Sequence, residues 1–246
     1  MTSFNSEKFI KEQIDSIFSE ISSPFELIIC DDGSKDSTIK IINDYSKKHS
    51  EIKLIQNERN YGSIRNLEHV ISFANGDIIV IADSDNVWLS GKINKTIKYF
   101  DNPKVSLVMH DAVIVDENLN TIMPSYYEWR KTKPGLFRNI LRNGYGGSMM
   151  AFPSWMKRYI LKSPKHIKVY FDEWIGMMCS KHGKVIFIQD KLSLWRRHSE
   201  AASSQGLNTQ TPIKRKSGCK KIIKKIRNSF SFIGIRIWKI WTVIIH

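Results

Sequence analysis

Apolar positions along the first hundred residues alternate between two rhythms. Phe9, Ile10, Ile14, Ile17 and Phe18 recur at helical spacing and predict a first helix, while Phe25 to Cys30 is a short apolar run that reads as a strand. A second helix is predicted from about Asp36, with Ile39, Ile42 and Tyr45 inward. A strand over Ile52 to Ile55 and a helix over Ile64 to Phe73 follow. Asn75-Gly76 stops that helix, and the next apolar run predicts a strand ending at Asp83. Alternation of this kind predicts parallel βαβ units and an α/β fold.

Beyond Pro103 the pattern loosens. Strands are predicted at Val105 to Met109 and Val113 to Val115, followed by a polar and aromatic stretch from Asn118 to Lys133. Gly146 to Phe152, a helix around Glu173 to Lys181, and strands at Val185 to Ile188 and Leu192 to Trp195 complete this part. Three regions are expected: 1–100, 101–205 and a tail, 206–246. No internal repeat is visible.

Charge changes the picture only once it is located. The chain of 246 residues has a formal net charge of +14, which taken whole resembles a nucleic-acid signal. No Asp or Glu follows Glu200, and ten of the 38 Lys and Arg do, so the body is nearly balanced and the excess sits in the tail. Nucleic acid is therefore not an expected partner. Cys30, Cys179 and Cys219 have no paired spacing, which argues against a disulfide or zinc framework and for a reducing compartment. Met1 to Lys8 has no apolar h-region, so a signal peptide is not expected and the body reads as cytoplasmic.

The candidate chemistry clusters at strand ends. The run Asp77 to Ala82 ends in Asp83-Ser84-Asp85, two carboxylates one residue apart. At the carboxyl edge of a parallel strand, such a pair suits Mg²⁺ or Mn²⁺ carrying a diphosphate. The strand Leu27 to Cys30 ends in Asp31-Asp32-Gly33-Ser34, where the acids either accept bonds from a base and ribose or form an Asp-Gly turn with a helix cap. Asn60-Tyr61-Gly62 precedes a helix, and Gly62 permits close backbone approach. In Phe171-Asp172-Glu173-Trp174, Asp172 reads as a helix N-cap or a general base, the cap being favoured by sequence alone. Trp195-Arg196-Arg197-His198 ends a strand with cations that suit an anionic diphosphate.

Taken in order with Thr2-Ser3-Phe4-Asn5, these clusters resemble the inverting nucleotide-sugar glycosyltransferases of family 2, nearest to bacterial rhamnosyltransferase-like members, over most of residues 1 to 200. The resemblance implies an α/β GT-A fold, a Rossmann-like sandwich with a mixed, mainly parallel central sheet. It implies donor contacts from Asn5, Asp31, Asp32, Asn60, Gly62 and Asp83. Asp85 and His198 would hold Mn²⁺ or Mg²⁺, and Arg196 would help hold the diphosphate. Asp172 would deprotonate the acceptor, Gly147 and Ser148 would line the acceptor side, and Trp174 would stack on a sugar. The implied substrates are a nucleotide-sugar donor, with dTDP-rhamnose as the nearest suggestion, and a saccharide or lipid-linked saccharide acceptor.

Two departures carry expectations of their own. Family members begin with an apolar strand ahead of the Thr-x-x-Asn motif, which here starts at Thr2, so the first strand is expected to be truncated or missing and Met1 to be an internal residue near its end. Asn86 stands where relatives often carry a third acid, and Phe171 where they often carry His. A strand ending in Asp83-Ser84-Asp85-Asn86-Val87 also matches the opening motif of haloacid-dehalogenase-like phosphatases, but no later acid pair is placed to hold their magnesium. A truncated, non-catalytic relative is the nearer rival. In the tail, Lys214 to Arg227 supplies cations ahead of an apolar, Trp-containing run from Phe230 to Ile245 interrupted by Arg236 and Lys239. That order suits in-plane attachment to an anionic membrane surface, and hence a peripheral location on the cytoplasmic face of the inner membrane.

Overall fold

The computed structural model describes residues 1–136, 139, 142–163 and 170–199. The tail, with its membrane reading and Cys219, lies outside these residues. Three parallel strands, β1 (Thr2–Ser3), β2 (Leu27–Asp31) and β3 (Ile52–Gln56), line up in the order β1-β2-β3. A parallel bridge from Thr2 to Asp83 joins them to a second sheet of order β4-β8-β6-β9-β5. Its members are β4 (Ile78–Val80), β5 (Val87–Trp88), β6 (Val105–Val115), β8 (Met150–Pro153) and β9 (Lys184–Arg196), and β7 (Thr121–Met123) pairs β6 from the side. The sheet is mixed, as expected. Its parallel character is confined to β1–β3, the Thr2–Asp83 bridge and the β6–β9 pair, while β4, β5, β7 and β8 pair antiparallel.

β2 is buried at every position because helices cover both faces of the sheet. Leu27 and Ile29 pack with Ile10, Ile14 and Ile17 of α1 (Ile10–Glu20) and Ile42 of α2 (Thr38–Ser46), whereas Ile28 and Cys30 meet Val70 of α3 (Ser63–Phe73). α4 (Lys92–Ile97) adds Ile93 to the first cluster. The short helices α5 (Tyr126–Arg130) and α6 (Lys157–Ile160) precede α7 (Phe171–His182), whose Trp174, Ile175 and Met178 form a core with Leu107, Met109 and Phe152.

Two expectations on strands need correction. The segments predicted as separate strands at 105–109 and 113–115 are one strand, as are those at 185–188 and 192–195. The β6–β9 register shifts at His110/Asp111 and Asp111/Val113, and these bulges absorb the breaks in apolar alternation. Nor is the first strand absent, for Thr2 and Ser3 pair with Cys30 and Asp31. Met1 continues this ladder: its ammonium donates to Ile28 O at 2.6 Å and its carbonyl accepts from Cys30 N at 2.9 Å.

Candidate active site

The carboxyl ends of β1, β2 and β4 meet at one edge. Asp31 is fully buried and its Oδ1 accepts from Gly33 N (3.1 Å) and Ser34 N (2.8 Å). Its Oδ2 accepts from the hydroxyls of Ser3 (2.9 Å) and Ser34 (2.6 Å). Asp31 thus builds the turn between β2 and α2. Asp32 reaches the other way: Oδ1 accepts from Asn57 Nδ2 (2.8 Å) and Tyr61 N (2.9 Å), and Oδ2 from Gly62 N (2.9 Å). It holds the Asn60–Gly62 turn against the sheet end. Gly62 has φ 85° and ψ 157°, a conformation that disfavours any side chain, and a Cβ there would meet nothing within 4 Å. Asn60 Oδ1 also accepts from Gly62 N. Asn5, at φ 46°, closes the opposite lip, its Oδ1 accepting from Lys35 N and its own N donating to Ser34 Oγ.

After β4 the chain turns through Asp83, Ser84, Asp85 and Asn86. Burial, with the Asp85 charge in second place, pushes the Asp83 carboxyl up to about 6, partly offset by a hydrogen bond from Ser148. Asp85 Oδ2 lies 3.2 Å from His198 Nε2, with about a tenth of the His198 side chain exposed. Asn86 secures the loop on two sides, donating to Ser148 Oγ at 3.0 Å and accepting from Arg196 N at 2.9 Å. Gly147 lies against Asp172, whose Cβ is 3.5 Å from where a Gly147 Cβ would stand.

Asp172 sits in the first turn of α7. The cap reading fails: Tyr170 is the N-cap residue, and Asp172 Oδ1 accepts from the next amide, Glu173 N, at 2.7 Å. Burial pushes its carboxyl up to about 7, with smaller contributions of opposite sign from Arg130 and Asp83. The Asp83 contribution places the two acids within one electrostatic neighbourhood.

Two residues assigned to ligands serve other ends. Trp174 is fully buried and its Nε1 donates to Ile160 O at 2.9 Å, so it cannot stack on a sugar; its position on α7 faces the core. Arg196 is also buried. Its guanidinium donates to Asp85 O (2.8 Å) and Glu117 O (2.7 Å), pairs with Glu12, and lies over the Phe9 ring at 4.6 Å. Fully committed, it clamps the Asp85 loop from beneath.

Lys92 went unnoticed in the sequence. It is buried, its Nζ donates to Ser148 O at 3.1 Å and lies 4.4 Å from the Trp88 ring centre, and burial pulls its ammonium down to about 7 against the attraction of Asp83 and Glu20. The available signal was a cation on the inward stripe of α4, beside Ile93 and one turn before Thr96.

Asp85 and His198 offer one carboxylate oxygen and one imidazole nitrogen side by side at a partly open edge. Among the described residues no group of three or more His, Cys, Asp and Glu is gathered for a metal. The Asp85 oxygen suits Mg²⁺ or Mn²⁺, and the His198 imidazole, a softer donor than Mg²⁺ usually takes, leans the pair towards a transition-metal ion such as Mn²⁺.

Comparison with known proteins defines the class. The profile described as Glycosyl transferase family 2 matches residues 1–163, and the chain belongs to that family. An uncharacterized glycosyltransferase of Methanocaldococcus jannaschii is 28% identical over 80% of this chain and 69% of its own length. The Escherichia coli protein WfgD, named as a UDP-Glc:alpha-D-GlcNAc-diphosphoundecaprenol beta-1,3-glucosyltransferase, is 30% identical over 48% of this chain and 46% of its own. Among solved structures, Staphylococcus aureus TarS 1–349 in complex with UDP-GlcNAc superposes with a TM-score of 0.65 at 20% identity, covering 84% of this chain and 60% of that one. The fold is the GT-A fold. The chain spans about half to two thirds of the length of these relatives.

Proposed function

We propose that the protein is an inverting transferase that moves a sugar from a nucleotide-diphosphate donor to a saccharide, soluble or lipid-linked. Residues 1–100 form the donor half and 101–205 the acceptor half. The observation that carries this reading is the convergence of Asp83, Asp85 and His198 with a carboxyl, Asp172, whose burial brings its proton affinity close to neutrality. A base with a pKa near the working pH is the most effective proton acceptor.

In this reading the nucleoside lies over Asp32 and the Asn60–Gly62 turn, with Asn5 and Asp31 shaping the turn beside it. Asp83 lies nearer the ribose and sugar. Asp85 and His198 would hold Mn²⁺ or Mg²⁺, which when bound neutralises charge on the diphosphate leaving group. Asp172 takes the proton of the acceptor hydroxyl as its oxygen bonds to the anomeric carbon. The bond from that carbon to the diphosphate breaks on the opposite face, and the configuration inverts. Gly147, without a side chain, keeps the space beside Asp172 open, and Ser148, bonded to Asn86 and Asp83, lines the acceptor side.

Donor identity is set by experiment: thermal unfolding with UDP, GDP and dTDP, each with and without Mn²⁺. UDP-sugars are named for two of the relatives and GDP-Man for a Pyrobaculum calidifontis mannosyltransferase structure solved with Mn²⁺, so these arms stand beside dTDP-rhamnose. Stabilisation by one nucleotide with metal supports the reading; no shift with any of them rejects it in favour of a non-catalytic relative. We place the protein on the cytoplasmic face of the inner membrane through its basic and apolar tail. Sedimentation with anionic vesicles that persists after removal of residues 212–246 would contradict that placement.

A further inference from the structure

Two arginines stand on the Asp172 side of the site, Arg130 at the end of α5 and Arg197 just past β9, and each lies over an indole. Arg130 Cζ is 5.2 Å from the Trp129 ring centre, and Arg197 Cζ is 4.8 Å from that of Trp195. The two indoles are themselves neighbours at 5.8 Å, and Tyr126 packs edge-on against Trp129 at 5.8 Å and Trp195 at 5.3 Å. One cluster of three rings thus carries both guanidiniums. Stacking uses the face of a guanidinium, while its N–H donors lie in the plane and point from the edge.

Two glycines tie this cluster to Asp172. A Cβ on Gly146 would stand 3.2 Å from the Tyr126 hydroxyl, and one on Gly147 would stand 3.5 Å from Asp172 Cβ, so consecutive residues touch the phenol and the acid. Burial pushes the Tyr126 phenol up; Arg130 and Arg197 oppose that rise, and Asp172 adds to it. Arg130 acts on Asp172 as well, and Arg197 also feels Asp85. Both cations therefore bear on one place beside the proposed base. Arg130 Nε is buried with no hydrogen-bond partner among the described residues, and a buried donor of that kind calls for an acceptor. The charge pattern of the chain agrees: between Trp129 and Phe171 there are ten Lys and Arg and no Asp or Glu, so the acceptor half is locally cationic although the body is nearly balanced. Such a field draws anionic partners.

We propose that Arg130 and Arg197 bind a phosphate ester carried by the acceptor, close to the hydroxyl that is delivered to Asp172. This rests on the reading of Asp172 as the base on the acceptor side. The donor diphosphate is assigned to Asp85 and His198, so a pair of guanidiniums beside Asp172 meets a different anion. Guanidinium edges match phosphate oxygens two at a time, and stacking on Trp129 and Trp195 fixes the direction of each edge before the ligand arrives. Two kinds of acceptor carry this chemistry: a sugar esterified to a lipid phosphate, and a polymer linked by phosphodiesters.

The test is calorimetric titration of the full chain, saturated with Mn²⁺ and the nucleotide that stabilises it, so that the donor corner is filled. Glucose 1-phosphate stands for the lipid-phosphate sugar, glycerophosphoglycerol for the polymer, and methyl glucoside is the neutral control. One of the two phosphates is expected to bind about tenfold or more tighter than the control, and which one binds identifies the source. Arg130→Gln and Arg197→Gln should each remove about that factor while the nucleotide Kd stays unchanged, and the Lys variants, which keep the charge without the planar edge, should fall between. Phosphates that bind no better than the control, or binding that both Gln variants retain, overturn the proposal. Weaker nucleotide binding in Arg197→Gln with the phosphate ligands unaffected would move that arginine to the donor and overturn it as well. If no nucleotide binds the parent, the catalytic reading fails by itself, and the same titrations without nucleotide still decide whether the two arginines take a phosphate.

Discussion

Lys92 Nζ donates to the carbonyl oxygen of Ser148, while the Ser148 hydroxyl accepts from Asn86 and bonds Asp83. A buried cation therefore holds the loop on which one of the site acids leans. Its charge also favours the ionised form of Asp83.

Replacing Lys92 with Met should leave the chain folded but change its pH response. In the native protein Lys92 loses its proton near 7, whereas the unfolded chain keeps it until about 10.4. Over that interval the unfolded state binds more protons, so stability rises with pH. Urea unfolding from pH 7 to 9.5 should show the rise in the parent and its loss in Lys92→Met; identical curves would discredit the buried-ammonium account.

Asp83 and Asp172 act in the opposite sense. Their carboxyls retain protons to about 6 and about 7, while unfolded carboxyls ionise near 3.9. Stability should fall as pH rises from about 4 to about 7, and Asp172→Asn should shrink that fall. The same variant should lose about 10²–10⁴-fold in kcat, the usual range for a missing general base, while nucleotide still stabilises it. In the parent, kcat should climb through a pKa near 7. A variant of undiminished kcat would remove Asp172 from the reaction.

Asp85→Ala or His198→Ala should abolish the part of nucleotide stabilisation that needs Mn²⁺ without preventing folding. A nucleotide at a hundred times its Kd adds about 2.7 kcal/mol in the parent. Metal dependence that survives in both variants would mean that the cation is held elsewhere.

Gly62→Ala should destabilise the protein by about 1–3 kcal/mol through backbone strain alone, because space for the methyl is open. A well-folded variant with parental stability would show that the turn relaxes into another conformation.

Trp174→Phe should cost about 1–3 kcal/mol by leaving Ile160 O without its donor, and should leave the acceptor KM where it was. A large KM change at constant stability would restore the sugar-stacking role that burial denies.

Elements with regular periodicity were legible in the sequence. Ile10, Ile14 and Ile17 marked α1 because a single face is buried, and the apolar run at Leu27 marked β2 because both are. The paired acids were legible because carboxylates closing an apolar run have few structural uses. Illegible features were those decided by distant partners. Arg196 reads as a free cation until Glu12, Glu117 and Asp85 are folded around it, and Trp174 as a platform until Ile160 supplies a carbonyl. The bulges at His110 and Asp111 disguised one strand as two, since they interrupt alternation without ending the ladder.

The long β6–β9 pair has a consequence for how the protein reaches its native state. Parallel pairing of Val105–Val115 with Lys184–Arg196 closes only after the intervening chain has been made, and such distant contacts form slowly. His198 lies just past the end of β9 and meets Asp85 across 113 positions of sequence. The corner proposed to hold the metal is therefore expected to be among the last parts of the molecule to form during refolding, so that recovery of any metal-dependent nucleotide binding would time the completion of folding rather than the collapse of the first three strands.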